Sequence, residues 1–130
     1  MIYGKVSILG TEYEITVMSE EQDPKLKENY GYCDPSVKQI IVSNFSDLIE
    51  SNDSWADLDE FRNKVIRHEI IHAMMYESGL SDQCEFAMNE ELIDWIAIQF
   101  DKMKEIFKQA ELQIERRKQF EKENSMRRGE

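Results

Sequence analysis

The sequence predicts an α+β fold: a small N-terminal β-sheet packed on one helix, followed by a long C-terminal helix. Three observations lead there. Residues 2–43 hold short β-branched and aromatic runs broken by Gly and Pro, the pattern of strands and turns. Residues 57–78 and 88–114 instead repeat apolar side chains at spacings of three and four, the period of an amphipathic helix. At 130 residues the chain has material for one modest core.

Residues 2–8 and 12–18 read as a hairpin turned at Gly10-Thr11. In Tyr13-Glu14-Ile15-Thr16-Val17 the alternation puts Tyr13, Ile15 and Val17 on one face. Residues 19–29 are polar and carry Pro24, which predicts a loop or a short helical turn. Tyr30 to Cys33 form a short strand, Asp34-Pro35 a turn, and Lys38-Gln39-Ile40-Ile41-Val42-Ser43 a β-branched strand beside the first helix. Asn44 to Ser54 connect, with a helical turn at 45–50. Asp57 can cap a helix that runs to Ser78, and Gly79 supplies the left-handed residue that ends it. Its inner face carries Leu58, Phe61 and Val65 with His68 and His72, while Glu60, Lys64 and Arg67 make the wet face. The second helix begins near Met88, with a seam of Ile93, Ile96, Phe100, Met103, Phe107, Ala110 and Ile114. Core packing is the simplest use of that seam, and pairing with a protein partner is the second. Residues 1–114 are therefore expected as a single domain and 115–130 as a helix end and charged tail.

The chemistry is concentrated in Arg67-His68-Glu69-Ile70-Ile71-His72-Ala73, which holds both histidines of the protein. On a helix, positions i and i+4 lie one turn apart on one face, so His68 and His72 can reach one ion. Zinc suits two imidazoles, and catalytic zinc sites use three protein ligands and an open position. Glu69 lies about 100° round from His68. There it can reach a water beside the metal without ligating it, as a general base does. Asn89-Glu90-Glu91-Leu92-Ile93-Asp94 opens the second helix with carboxylates that can supply the third ligand, Glu90 or Glu91. Asp94, one turn after Glu90, can accept a hydrogen bond from a ligand imidazole and so fix its tautomer. Cys33 is a further thiol within the sheet segment.

Composition narrows the partners. A net charge of −11 argues against broad nucleic-acid or anionic-membrane binding, although Arg116-Arg117-Lys118 and Arg127-Arg128 make the C-terminal end locally basic. No run approaches the roughly 18 apolar residues of a membrane span. Met1-Ile2-Tyr3-Gly4-Lys5-Val6 lacks the pattern of a signal peptide, and two cysteines make no disulfide framework, so a cytoplasmic protein is expected.

HEIIH followed by NEELID resembles the gluzincin pattern of thermolysin-like peptidases, H-E-x-x-H and then N-E-x-x-x-D. More closely, Gly31-Tyr32-Cys33-Asp34 before an apolar strand, with His-Glu-Ile-Ile-His-Ala downstream, is similar to small ImmA/IrrE-family metallopeptidases of phages and mobile elements. The resemblance covers about residues 30–100. It implies a minimal zincin-like domain, zinc held by His68, His72 and Glu90, Glu69 as catalytic base, and Asp94 behind a ligand histidine. Because the spacing differs from thermolysin's by a residue or two, Glu91 stays an alternative to Glu90. The DNA-binding or sensory domain of larger family members is not found in these 130 residues, so their repressor-cleaving role does not carry over directly.

The expected activity is zinc-dependent hydrolysis of peptide bonds in a protein or peptide substrate, with Tyr76, Tyr30 or Tyr32 as candidate donors to the developing oxyanion. The alternatives are a zinc-stabilised, non-catalytic scaffold and a metal-free interaction protein. Glu69 separates them, because a purely structural site needs no acid beside its first ligand.

Overall fold

The computed structural model describes residues 1–46 and 57–129. Four strands, β1 (Ile2–Ile8), β2 (Thr11–Met18), β3 (Gly31–Asp34) and β4 (Gln39–Ser43), precede two long helices, α1 (Leu58–Glu77) and α2 (Glu90–Arg127). Short 3-10 turns occupy Pro24–Lys27, Leu80–Asp82 and Glu85–Met88. The α+β class is thus the one the sequence predicts. The helical turn expected at 45–50 falls mostly outside the described residues.

The strands form one mixed sheet in the order β1-β2-β4-β3. β1 and β2 pair as an antiparallel hairpin whose two-residue turn is Leu9-Gly10, both at positive φ, rather than Gly10-Thr11. Positive φ at both turn residues matches the twist of the flanking strands, which is why a glycine sits there. β4 runs parallel to β2, and β3 lies antiparallel to β4 at the edge opposite β1. Tyr13, Ile15 and Val17 are buried as the alternation predicts, and all of Ile40, Ile41 and Val42 are buried in β4. A strand flanked on both sides and covered on both faces needs this continuous apolar run.

α1 lies against β3 and β4. Asp57 caps it, accepting from the Glu60 amide at 3.0 Å, and Gly79 (φ +81) follows its C-cap Ser78. Phe61, Val65, Ile66 and Ala73 enter the core with Ile8, Tyr13, Ile15, Ile40, Val42 and Phe45. Tyr30, Phe45 and Phe61 stack pairwise with centroids 5.1–5.6 Å apart. The far end of α1 is pinned through Glu77. Its carboxylate accepts from Tyr13 Oη at 2.7 Å and Thr11 Oγ1 at 3.2 Å, and pairs with Lys38 Nζ at 2.7 Å. These bonds hold the Glu77 carboxyl below the usual carboxylate range, with the Lys38 contact foremost. They also join the helix end to β2 and to the turn before β4, fixing the rotation of α1 over the sheet.

Two compact units emerge, Met1–Ala97 and Ile98–Glu130. The first contains the sheet, α1 and the first two turns of α2, where Ile93 and Ala97 are buried. The second is the remainder of α2, and here the expected core seam is corrected. Phe100, Phe107 and Ile114 are exposed, as are Ile98, Ile106, Leu112 and Phe120. Among the described residues no helix is long and apolar enough to cross a membrane.

Gly31 is where the outer strand approaches α1. A Cβ there would meet Val65 Cγ1 at 2.8 Å, the Ile41 carbonyl oxygen at 3.1 Å and Glu69 Cγ at 3.5 Å. Neither Val65, packed in the core, nor the backbone of β4 can move away cheaply. Gly31→Ala should therefore destabilise the protein by about 1–3 kcal/mol, the usual cost of overpacking. A lowered urea midpoint with unchanged m-value would register it.

Candidate metal centre

The site forms where the middle of α1 faces the first turn of α2. Asn89 begins that turn, its side chain accepting from the Leu92 amide at 2.8 Å, so Glu90 is the first residue of the helix. An acid at this position is favoured by the exposed amides of the helix N-terminus. From there the Glu90 carboxylate reaches both histidines. Oε2 lies 2.9 Å from His68 Nε2, and Oε1 lies 3.0 Å from His72 Nε2. The two imidazole centroids are 5.0 Å apart, as i and i+4 on one helix face require.

Asp94 takes the other side of the first ring, with Oδ1 3.0 Å from His68 Nδ1. Burial raises the Asp94 pKa, but the hydrogen bonds from His68 and Lys64 outweigh it and hold the carboxyl below its ordinary value. An ionised carboxylate only accepts, so Nδ1 carries the ring proton and Nε2 is left to face Glu90. Nε2 and a carboxylate oxygen are both acceptors. Two acceptors at 2.9 Å repel unless a cation lies between them, either a second proton or a metal ion.

The donor set fits zinc. Tetrahedral zinc with bonds of about 2.0–2.1 Å keeps its ligand atoms about 3.3 Å apart. The histidine–Glu90 separations are 2.9–3.3 Å, so each donor need retreat only by tenths of an ångström. Ligand atoms of His68, Glu69 and His72 all fall within 4.8 Å of one another. Glu69 nevertheless differs from Glu90. Its Oε1 is 3.9 Å from His68 Nε2, and its side chain is 8% exposed against 67% for Glu90. It stands beside the two imidazoles but held out of solvent, whereas Glu90 is open to it. Burial, reinforced by the Glu90 charge and opposed by His68, pushes the Glu69 carboxyl up to about 7.

The structure thus brings together His68, His72, Glu90, Asp94 and Glu69. Glu91, one residue on, is exposed and lies outside the cleft lining. Cys33 lines the cleft near Glu69, where burial and the surrounding acids push its thiol up to about 12, and among the described residues it falls outside the group of His68, Glu69 and His72 whose ligand atoms could share an ion. Among the tyrosines, Tyr32 is diverted. Its hydroxyl donates to Asp23 Oδ2, and Lys25 sits 5.1 Å over its ring. Tyr76, one turn beyond His72, and Tyr30 both line the cleft and remain as donors.

Lys64 and Arg67 carry out work not anticipated from the sequence. Instead of forming a wet face they bridge to α2. Arg67 Nε donates to the Ala97 carbonyl at 2.8 Å, and Lys64 Nζ pairs with Asp94 Oδ1 at 3.2 Å. Lys64 precedes His68 by one turn, and that i, i+4 spacing was the available clue. The cleft beside these residues encloses about 610 Å³, bounded on one side by Gly31, Tyr32 and Cys33 of β3. That is within the range of small-molecule and peptide sites.

Two outcomes follow. Glu90→Gln should weaken zinc binding by well over tenfold in titration calorimetry, while Glu91→Gln should leave it nearly unchanged. Equal effects would move the third ligand elsewhere. The second concerns the metal-free protein and pH. Because the folded-state pKa of Glu69 is raised from 4.5 to about 7, the native state binds the extra proton. Its stabilising contribution is complete below about pH 4.5 and is lost as pH rises through 7. Glu69→Gln removes that loss. In chelator, the variant should gain on wild type by up to about 3 kcal/mol between pH 4 and pH 8. A constant difference across that range in urea unfolding would refute the buried-carboxyl account.

Comparison with known proteins gives no match among family models, curated proteins or solved structures.

Proposed function

We propose that this chain is a zinc-dependent metallopeptidase that cleaves peptide bonds of a protein substrate. One observation carries the reading. Three candidate ligands, His68 Nε2, His72 Nε2 and the Glu90 carboxylate, lie about 3 Å apart across two helices, with a buried carboxyl, Glu69, beside them. The resemblance of HEIIH and NEELID to the gluzincin pattern of thermolysin-like peptidases points the same way.

His68, His72 and Glu90 would hold the zinc, with Asp94 keeping the His68 proton on Nδ1 so that Nε2 faces the metal. Zinc, when bound, supplies Lewis acidity that polarises the scissile carbonyl and acidifies a water towards pKa ~7. Glu69 takes a proton from the attacking water as its oxygen bonds to the carbonyl carbon. The same carboxyl returns that proton to the departing nitrogen as the C–N bond breaks. Burial raises the Glu69 carboxyl and a bound zinc would draw it back down, a balance that suits a group passing a proton in both directions. Tyr76 or Tyr30 would donate to the oxyanion. β3 is an edge strand of the sheet and lines the cleft, so an extended peptide would lie along it with main-chain hydrogen bonds. The rival reading, a zinc-stabilised scaffold without catalysis, leaves the burial of Glu69 unexplained. A structural site would gain nothing from a carboxyl held out of water beside the ligands.

The decisive variant is Glu69→Gln, which keeps size and shape but removes the basic oxygen. Zinc content by mass spectrometry should match wild type. New amine termini, counted by mass spectrometry after incubating purified protein with a denatured protein mixture, should fall by about 10²–10⁴. Undiminished cleavage would reject Glu69 as the base. Zinc retained by a wild type that generates no new termini in any mixture would favour the scaffold.

A further inference from the structure

The second unit, Ile98–Glu130, presents an apolar stripe that the metal site does not use. Phe100, Met103, Phe107, Ala110 and Ile114 recur at spacings of three and four along one side of the helix. Phe107 is 61% exposed and Ile114 52%. Ile106 and Phe120 flank the stripe and are exposed as well. A helix of this length with such side chains in water draws little stability from its own hydrogen bonds, because helices in proteins depend on burying an apolar face. A contiguous apolar stripe of this kind marks an interaction surface.

We infer that this stripe pairs with the same stripe of a second copy of the chain, as an antiparallel two-helix seam centred between Lys108 and Gln109. Side-chain size and charge both select that partner and direction. In this register Phe107 of one copy lies beside Ala110 of the other, and Met103 beside Ile114, so a large residue meets a small one at the centre. Phe100 lies beside the stem of Arg117. At the flanking positions Lys104 of each copy meets Glu111 of the other, giving two symmetric opposite-charge pairs. A parallel, in-register pair would instead set Phe107 on Phe107 and Ala110 on Ala110, alternating crowding with a gap. Its flanks would bring Gln99 to Lys104, Ile106 to Glu111 and Gln113 to Lys118, without a single charge pair. The charge of the unit agrees with self-pairing. Residues 98–130 hold 9 Lys/Arg and 7 Asp/Glu, a net +2, while residues 1–97 hold 7 and 20, a net −13. Helix-to-helix contact over 98–119 therefore joins segments of low net charge. A two-fold pair of this kind is closed and does not propagate into fibres.

The test uses the full chain in light scattering at about 100 µM, well above the Kd expected of a short helix pair. The expected mass is twice that of the chain, with or without zinc. Phe107→Glu should give a monomer in which the urea unfolding of Met1–Ala97 is unchanged, since Phe107 is exposed and outside the core, while helix content falls as the unpaired stripe frays. Lys104→Glu and Glu111→Lys should each weaken association at least about tenfold, and the double swap should restore it. Within one helix each swap exchanges one attractive neighbour for another. Lys104 trades Asp101 for Lys108, and Glu111 trades Lys108 for Glu115, so the rescue reports the contact between copies. A monomeric wild type overturns the proposal. So does a dimer that survives Phe107→Glu, or a double swap that fails to restore pairing.

Discussion

The distance between α1 and the first turns of α2 is the constraint on which the cluster of His68, His72 and Glu90 depends. His68 and His72 are bound to each other by helix geometry, but Glu90 belongs to another element and must be delivered to within about 3 Å of both rings. Three contacts set that distance: Arg67 to the Ala97 carbonyl, Lys64 to Asp94, and Asp94 to His68 Nδ1. Ile93 and Ala97, buried on the inner side of α2, supply the apolar part of the same junction. The clamp and the site share residues, so loss of Asp94 would loosen both the spacing and the tautomer of His68.

Rotation of α1 is the second requirement. Its inner face has to serve the core and the cleft together, and the two uses are separated along and around the helix. Phe61, Val65 and Ala73 pack inward, while His68 and His72 turn to the cleft edge. Glu69 falls between these sectors and is buried there, which is the source of its raised pKa. Glu77, held by Tyr13, Thr11 and Lys38, prevents the helix from turning about its axis. At the other end, the close approach of Gly31 to Val65 lets β3 lie near enough to form one wall of the cleft.

The two units serve different ends. Buried side chains, perturbed acids and the cleft belong to Met1–Ala97. The remaining turns of α2 are helical with an apolar stripe left in solvent, a surface suited to association rather than to chemistry.

Local sequence determined a good deal. The i, i+4 spacing of His68 and His72 needed only the pitch of a helix, the alternation in Tyr13-Glu14-Ile15-Thr16-Val17 only the pleat of a strand, and the ends of α1 only Asp57 and Gly79. These are short-range properties, legible because the chain's own geometry enforces them. Tertiary structure decided what depends on a neighbour. It set Glu90 rather than Glu91 against the histidines, because neighbouring residues on a helix point about 100° apart and only the approach of α1 selects between them. It turned Tyr32 to Asp23, covered Lys64 and Arg67 with α2, and placed β4 parallel to β2. It also left the seam beyond Ala97 in solvent, since periodicity tells which side of a helix is apolar but not whether anything lies opposite it.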